Sequence, residues 1–161
     1  MKPLALFFLG ASCCIARAQQ MDLKALVSQM SGSFTWEMTK PSSQALIRKG
    51  ERISESYFDG QLFMFRETFS NSNIEQVGFF GYDTKGKQML SVGLYNVDMG
   101  PHILKGAPEK VDQGYQVVFF EKGKKIVLHV ENREHHFWEY YSKIEGEWIM
   151  DDLRIDFYRK N

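Results

Sequence analysis

The sequence predicts an all-β protein, an antiparallel meander of about ten strands that closes on itself, preceded by one short helix. Two observations carry this expectation. From Phe34 to Tyr158 short alternating segments follow one another with no helical pattern between them. Turn signals separate them at close intervals, among them Asp59-Gly60, Asn71-Ser72-Asn73, Asp112-Gln113-Gly114, Lys122-Gly123 and Glu145-Gly146. Evenly spaced short strands of this kind form barrels or sandwiches.

The elements follow in order. Residues 1–18 read as an export leader: Lys2 supplies a positive start, residues 4–15 an apolar core, and Ala16-Arg17-Ala18 a small-x-small cleavage site before Gln19. The apolar run is shorter than the roughly 20 residues of a transmembrane helix. Gly10 stands three residues before Cys13, where a lipoprotein signal prefers leucine, so a lipid anchor at Cys13 or Cys14 is disfavoured. Residues 21–30 then show helical spacing through Leu23, Leu26, Val27 and Met30, with Asp22 as N-cap and Gly32 as stop. So short a helix must pack its apolar stripe on something, and one end of the barrel is the natural place. Strands are expected at 33–38, 45–57, 62–69, 74–82, 88–97, 103–105, 115–121, 125–132, 136–143 and 147–158. Phe63, Phe65 and Phe69 share one face of the third strand, and Leu90, Val92 and Leu94 one face of the fifth. Gly78, Gly81 and Gly93 interrupt strands, as bulges or sharp coiling do.

Loss of the leader leaves residues 19–161, 143 of the 161, enough for a single domain with a sizeable core. Both cysteines leave with it, which excludes disulfides, thiol catalysis and cysteine metal sites from the mature chain. Lys2 and Arg17 leave too, so 20 basic and 20 acidic residues become 18 and 20, a charge of −2. Interspersed signs near neutrality give no footprint for nucleic acid or an anionic membrane. Lys122-Gly123-Lys124-Lys125, the densest basic run, reads as a solvated hairpin tip.

Three segments resemble a known family. Met30-Ser31-Gly32-Ser33-Phe34-Thr35-Trp36 resembles the Gly-x-Trp first strand of lipocalin-like proteins, with Phe34 at the usual Trp position. Gly81-Tyr82-Asp83-Thr84-Lys85-Gly86-Lys87 is similar to the Gly-Tyr-Asp hairpin of a calycin-like bacterial family of uncharacterised function. Asp98-Met99-Gly100-Pro101-His102 resembles its Ser-Met-x-x-His segment, with Asp98 in place of Ser, and Arg154 to Arg159 its closing strand. The resemblance spans about Met30 to Arg159. It implies a lipocalin-like (calycin) barrel with a central cavity and implies no activity.

Candidate chemistry centres on the hairpin from His129 to His136. A two- or four-residue loop would place Glu131 opposite His136 and His129 opposite Trp138. One face would then carry Val127, His129, Glu131, His136, Trp138 and Tyr140. His129, Glu131 and His136 together could hold zinc or haem iron. Adjacent His135 and His136 diverge on a strand and no wider ligand motif supports them, so a structural ladder is the expectation and no metal is assigned. Trp138 and Tyr140, with large apolar bodies and polar tips, suit a pocket wall better. His102 follows Gly100-Pro101 at a loop-to-strand junction, where barrel mouths present ligand contacts. Glu139 and Asp152 could share a proton across the last hairpin, but separate surface carboxylates are the simpler reading. No nucleophile elbow or phosphate loop is present, and nothing calls for a cofactor.

The leading expectation is an exported, non-catalytic barrel, periplasmic or secreted. It would bind a small apolar or amphipathic molecule at His102, Trp138 and Tyr140. A barrel filled by its own aromatic residues, serving protein contact or envelope assembly, is the first alternative. An enzyme using the His102 region is the second. If Trp138 lines empty space, its truncation costs little stability, against about 3–5 kcal/mol for a tryptophan in a filled core.

Overall fold

A computed structural model of the chain describes residues 22–85, 87–97, 100–121 and 123–161. The expected leader with its two cysteines, and Asp98 and Met99 of the family-like segment, lie outside the described residues. The helix α1 spans Leu23–Met30. The strands are β1 (Ser33–Lys40), β2 (Ala45–Tyr57), β3 (Leu62–Phe69), β4 (Glu75–Asp83) and β5 (Gln88–Tyr95). They continue with β6 (His102–Lys110), β7 (Tyr115–Glu121), β8 (Lys124–Val130), β9 (His135–Ile144) and β10 (Glu147–Arg159). Each strand pairs antiparallel with the next, and β10 pairs with β1, so the sheet is a closed barrel with no free edge.

Nine of the ten strands fall close to their sequence-predicted spans. The exception is β6, expected only at 103–105, because Gly106-Ala107-Pro108-Glu109 shows no apolar alternation. It reaches Lys110 because, beyond Gly106, it pairs with β7 alone. A one-sided segment tolerates the N–H that Pro108 lacks.

The helix closes one end. Asp22 caps it by accepting from the Ala25 N–H at 3.0 Å. Leu26, Val27 and Met30 are fully buried. Arg159, near the chain end, donates to the carbonyls of Gln29 and Ser31 at 3.0 and 2.9 Å, satisfying acceptors that a helix terminus leaves free. The same guanidinium lies 4.6 Å from the Phe34 ring centre. The last turn of α1 is thereby held to β1 and β10.

The glycines in the strands have a different role from the one the sequence suggests. Register runs unbroken through Gly78, Gly81 and Gly93, so none of them marks a bulge. The irregularities lie instead between Met38 and Thr39 and between Met150 and Arg154. Three strand glycines instead sit beside rings on the neighbouring strand. Gly50 is the cross-strand partner of Trp36, Gly78 of Phe65, and Gly106 of Phe119. A Cβ at Gly50 would stand 1.8 Å from the Thr68 carbonyl oxygen and 2.6 Å from the Trp36 ring. At Gly78 and Gly106 the Phe65 and Phe119 rings would lie 2.6 Å away. Omitting a side chain on one strand lets a large ring lie flat across it, which lines the wall without filling the lumen.

The apolar alternation of β5 points outward. Met89, Ser91, Gly93 and Tyr95 face the interior, whereas Leu90, Val92 and Leu94 share the outer face with Met64, Val77 and Ile103 of neighbouring strands. No helix among the described residues is long and apolar enough to cross a membrane.

Replacing Gly50 by Ala should lower stability by about 2–3 kcal/mol, because the new methyl group meets backbone on one side and Trp36 on the other. Gly100→Ala, at an open position with nothing within 4 Å, should leave the urea midpoint unchanged.

Candidate functional site

Inside the barrel lies a cavity of about 260 Å³. Met30 of α1 contributes to its floor, and Phe63, Phe65, Phe80 and Trp138 to its lower wall. At the end opposite the helix the lining includes Gln76, Tyr95, His102 and Glu121, of which His102 and Glu121 are exposed to solvent. The site is thus a cup with an apolar base and a polar rim. Its volume lies just below the range of about 300–1,000 Å³ usual for small-molecule pockets.

The structure places His102, Trp138 and Tyr140 together on this lining. Trp138 stacks on Phe119 with ring centres 5.6 Å apart and is 8% exposed, so it is both cavity wall and packed core. The expectation that its loss costs little stability is therefore revised. Trp138→Ala should lower the unfolding free energy by about 3 kcal/mol, measured by urea titration. His102 opens β6 at the rim and meets Tyr95 edge to face at 5.8 Å. No hydrogen bond to its ring is found among the described residues. Tyr140 reaches into the interior, and burial pushes its phenol pKa far above the usual value. Burial also raises Tyr95, with the Glu67 charge adding to the shift. Both phenols remain protonated hydrogen-bond donors at neutral pH.

The expected register of the histidine hairpin is corrected. Val130 pairs with His136 and Leu128 with Trp138, leaving five residues between the last partners. An odd connection exchanges the faces that an even one would give. His136 consequently points inward with Trp138 and Tyr140, while His129 and Glu131 do not join it. His135 lies on the outer side, its two ring nitrogens 2.8 Å from Glu131 Oε2 and 2.9 Å from Asp156 Oδ1. His129 contacts Glu139 at 3.1 Å and stacks on Phe137. The suggested Glu139–Asp152 pair does not meet either. Tyr141 and His129 contact Glu139, and Asp152 accepts from the Ser42 N–H and hydroxyl. The register shift between Met150 and Arg154 carries Asp152 away.

Sequence reasoning missed the charged group in the cavity wall. Arg52 and Glu67 are cross-strand partners on inward faces of β2 and β3, with side chains 6% and 8% exposed. Arg52 Nε donates to Glu67 Oε1 at 2.6 Å, and Nη2 also reaches this oxygen. The guanidinium lies 3.9 Å from the Phe157 ring centre and 5.0 Å from that of Phe65. Its Nη1 lies 3.3 Å from His136 Nε2. That nitrogen must accept, which puts the imidazole hydrogen on Nδ1, an atom with no hydrogen-bond partner among the described residues. The available signal was the phase of the strands: Arg52 falls in step with Gly50 and Ser54, and Glu67 with Phe63, Phe65 and Phe69.

Burial and then the Arg52 charge hold the His136 pKa well below the ordinary imidazole value. The unfolded chain therefore takes up a proton near pH 6.5 that the folded chain refuses. Stability should fall as pH drops below about 6.5, by up to about 1.4 kcal/mol per pH unit until the folded histidine itself titrates. In His136→Gln, which retains an acceptor for Arg52, urea midpoints between pH 4.5 and 6.5 should lose that component of the slope.

No protein-family profile matches the chain, and no curated protein shows significant similarity to it. Among the described residues no group of three or more His, Cys, Asp or Glu side chains is arranged to hold a metal ion.

Proposed function

We propose that this protein is an exported, lipocalin-like binding protein that carries a small amphipathic molecule inside its barrel. The observation that carries the reading is the 260 Å³ cavity, walled by aromatic side chains at its base and rimmed by polar groups. Its size suits a molecule of on the order of ten to twenty non-hydrogen atoms. The Tyr95 and Tyr140 hydroxyls have no hydrogen-bond partner among the described residues, and both residues line the cavity. Polar groups placed in an apolar pocket without partners orient a ligand in the way such sites usually do. A barrel filled by its own rings would leave no such space, which favours carriage over the solid-barrel alternative. Family membership is part of the proposal and rests on the Gly-Tyr-Asp hairpin and its neighbours. Export rests on residues 1–18, and mass analysis of secreted protein should give a chain beginning at Gln19.

The neutral fluorophore N-phenyl-1-naphthylamine tests the cavity directly. Its emission should rise and shift to the blue on addition of protein, saturating at one molecule per chain. Ser91 lies on the lining between Phe80 and Leu104, its partners on the two adjacent strands. Ser91→Phe should fill that space and weaken the probe at least about tenfold, a loss of about 1.4 kcal/mol. A wild-type barrel that leaves the fluorophore unchanged would remove the binding reading.

A further inference from the structure

The charge of the cavity wall deepens that reading by selecting among ligand head groups. Among the described residues Arg52 is the one Lys or Arg side chain on the lining, and each of its three nitrogens already has a contact. Both of its contacts to Glu67 fall on Oε1, His136 takes a third nitrogen, and two rings cover the guanidinium. A ligand carboxylate brought to the guanidinium would stand close to the Glu67 carboxylate, and like charges in a low-dielectric wall repel. Glu67 is differently placed. Its residue is 6% exposed, it lines the cavity, and Oε2 takes no part in the contacts with Arg52. A second carboxylate, Glu121, stands at the rim. Among the described residues the lining therefore carries two carboxylates against one guanidinium.

Rings complete the picture. Glu67 is the cross-strand partner of Gln76, and Gln76 of Tyr95, so the row climbs from the carboxylate to the rim. Phe69 lies two residues along the same face of β3, edge to face with Trp36 at 4.8 Å and 6.3 Å from Tyr95. A carboxylate on the same stretch of lining as the Trp36, Phe69 and Tyr95 rings offers a cation both Coulombic and cation–π attraction. A low-dielectric wall strengthens both.

We propose that the ligand is a small amphipathic amine. Its apolar body occupies the base lined by Phe63, Phe65 and Phe80, and its ammonium group lies between Glu67 Oε2 and the Phe69, Tyr95 and Trp36 rings. Glu121 at the mouth draws the cation in. This rests on the binding reading above, and the two fail in different ways.

The test is displacement of N-phenyl-1-naphthylamine from the wild-type protein at pH 7.4 by octylamine, 1-octanol and octanoate, which share one alkyl body. Octylamine should displace the probe at a concentration at least about tenfold below that needed for octanol, and octanoate should be the weakest of the three. Glu121→Gln, exposed and outside the core, should weaken octylamine about threefold and leave octanol unchanged. Glu67→Gln should abolish the preference for amine over alcohol. Because that change leaves Arg52 without its partner, the head-group series on the wild type decides the question wherever the variant does not fold. Equal displacement by amine and alcohol, or the tightest displacement by octanoate, would overturn the amine assignment while leaving the binding protein intact. A probe that never binds would instead remove the proposed function itself.

Discussion

The guanidinium of Arg52 has to be enclosed on every side, and much of the barrel interior is arranged around meeting that demand. An ion taken from water into a protein interior costs several kcal/mol unless its charge and its hydrogen bonds are matched. Glu67 supplies the opposite charge, His136 an acceptor, and Phe157 and Phe65 the faces that cover the planar group. These partners come from β3, β9 and β10, so one side chain on β2 joins strands on both sides of the β1–β10 closure. Breaking such a pair from one side typically costs about 3–5 kcal/mol. The unpartnered Nδ1 of His136 is the residual cost of the arrangement.

A cavity survives beside this cluster because the wall is built from rings laid over glycines. Trp36 on Gly50, Phe65 on Gly78 and Phe119 on Gly106 turn what would be inward-reaching bulk into lining. With the rings held against the wall, the number of aromatic residues no longer dictates a solid core. The same economy explains why Ser91 and Gly93 occupy inward positions on β5 while its leucines and valine face out. Small residues at the middle of β5 leave room for the neighbouring rings and the cavity.

The two ends of the barrel then take different characters. The α1 end is closed by Leu26, Val27 and Met30 and tied down by Arg159, and the exposed lining residues His102 and Glu121 lie at the other end. The rim there is polar, the base apolar, and the paired charge lies between them. On the proposed reading, the apolar body of an amphipathic ligand reaches the base while its single polar end stays toward the rim.

The alternation of short segments with Gly- and Asn-rich turns determined the strand count, most of the strand spans and the antiparallel order, because these depend on local periodicity and turn chemistry. Asp22 as cap and Leu26, Val27 and Met30 as the helix stripe were legible for the same reason. His102, Trp138 and Tyr140 could be singled out from residue type, and Trp138 and Tyr140 from their spacing two apart on one strand. What each strand faced was decided by closure. The face of His136 turned on one residue in the loop from 131 to 135, a parity that local sequence leaves open and that pairing across β8 and β9 resolves. The meeting of Arg52 with Glu67 depended on register between two strands, and its contact with Phe157 on β10 returning to β1. The apolar face of β5 was visible as a pattern, but only the neighbouring strands could show that it points outward, since period-two alternation names two faces and does not say which is inside.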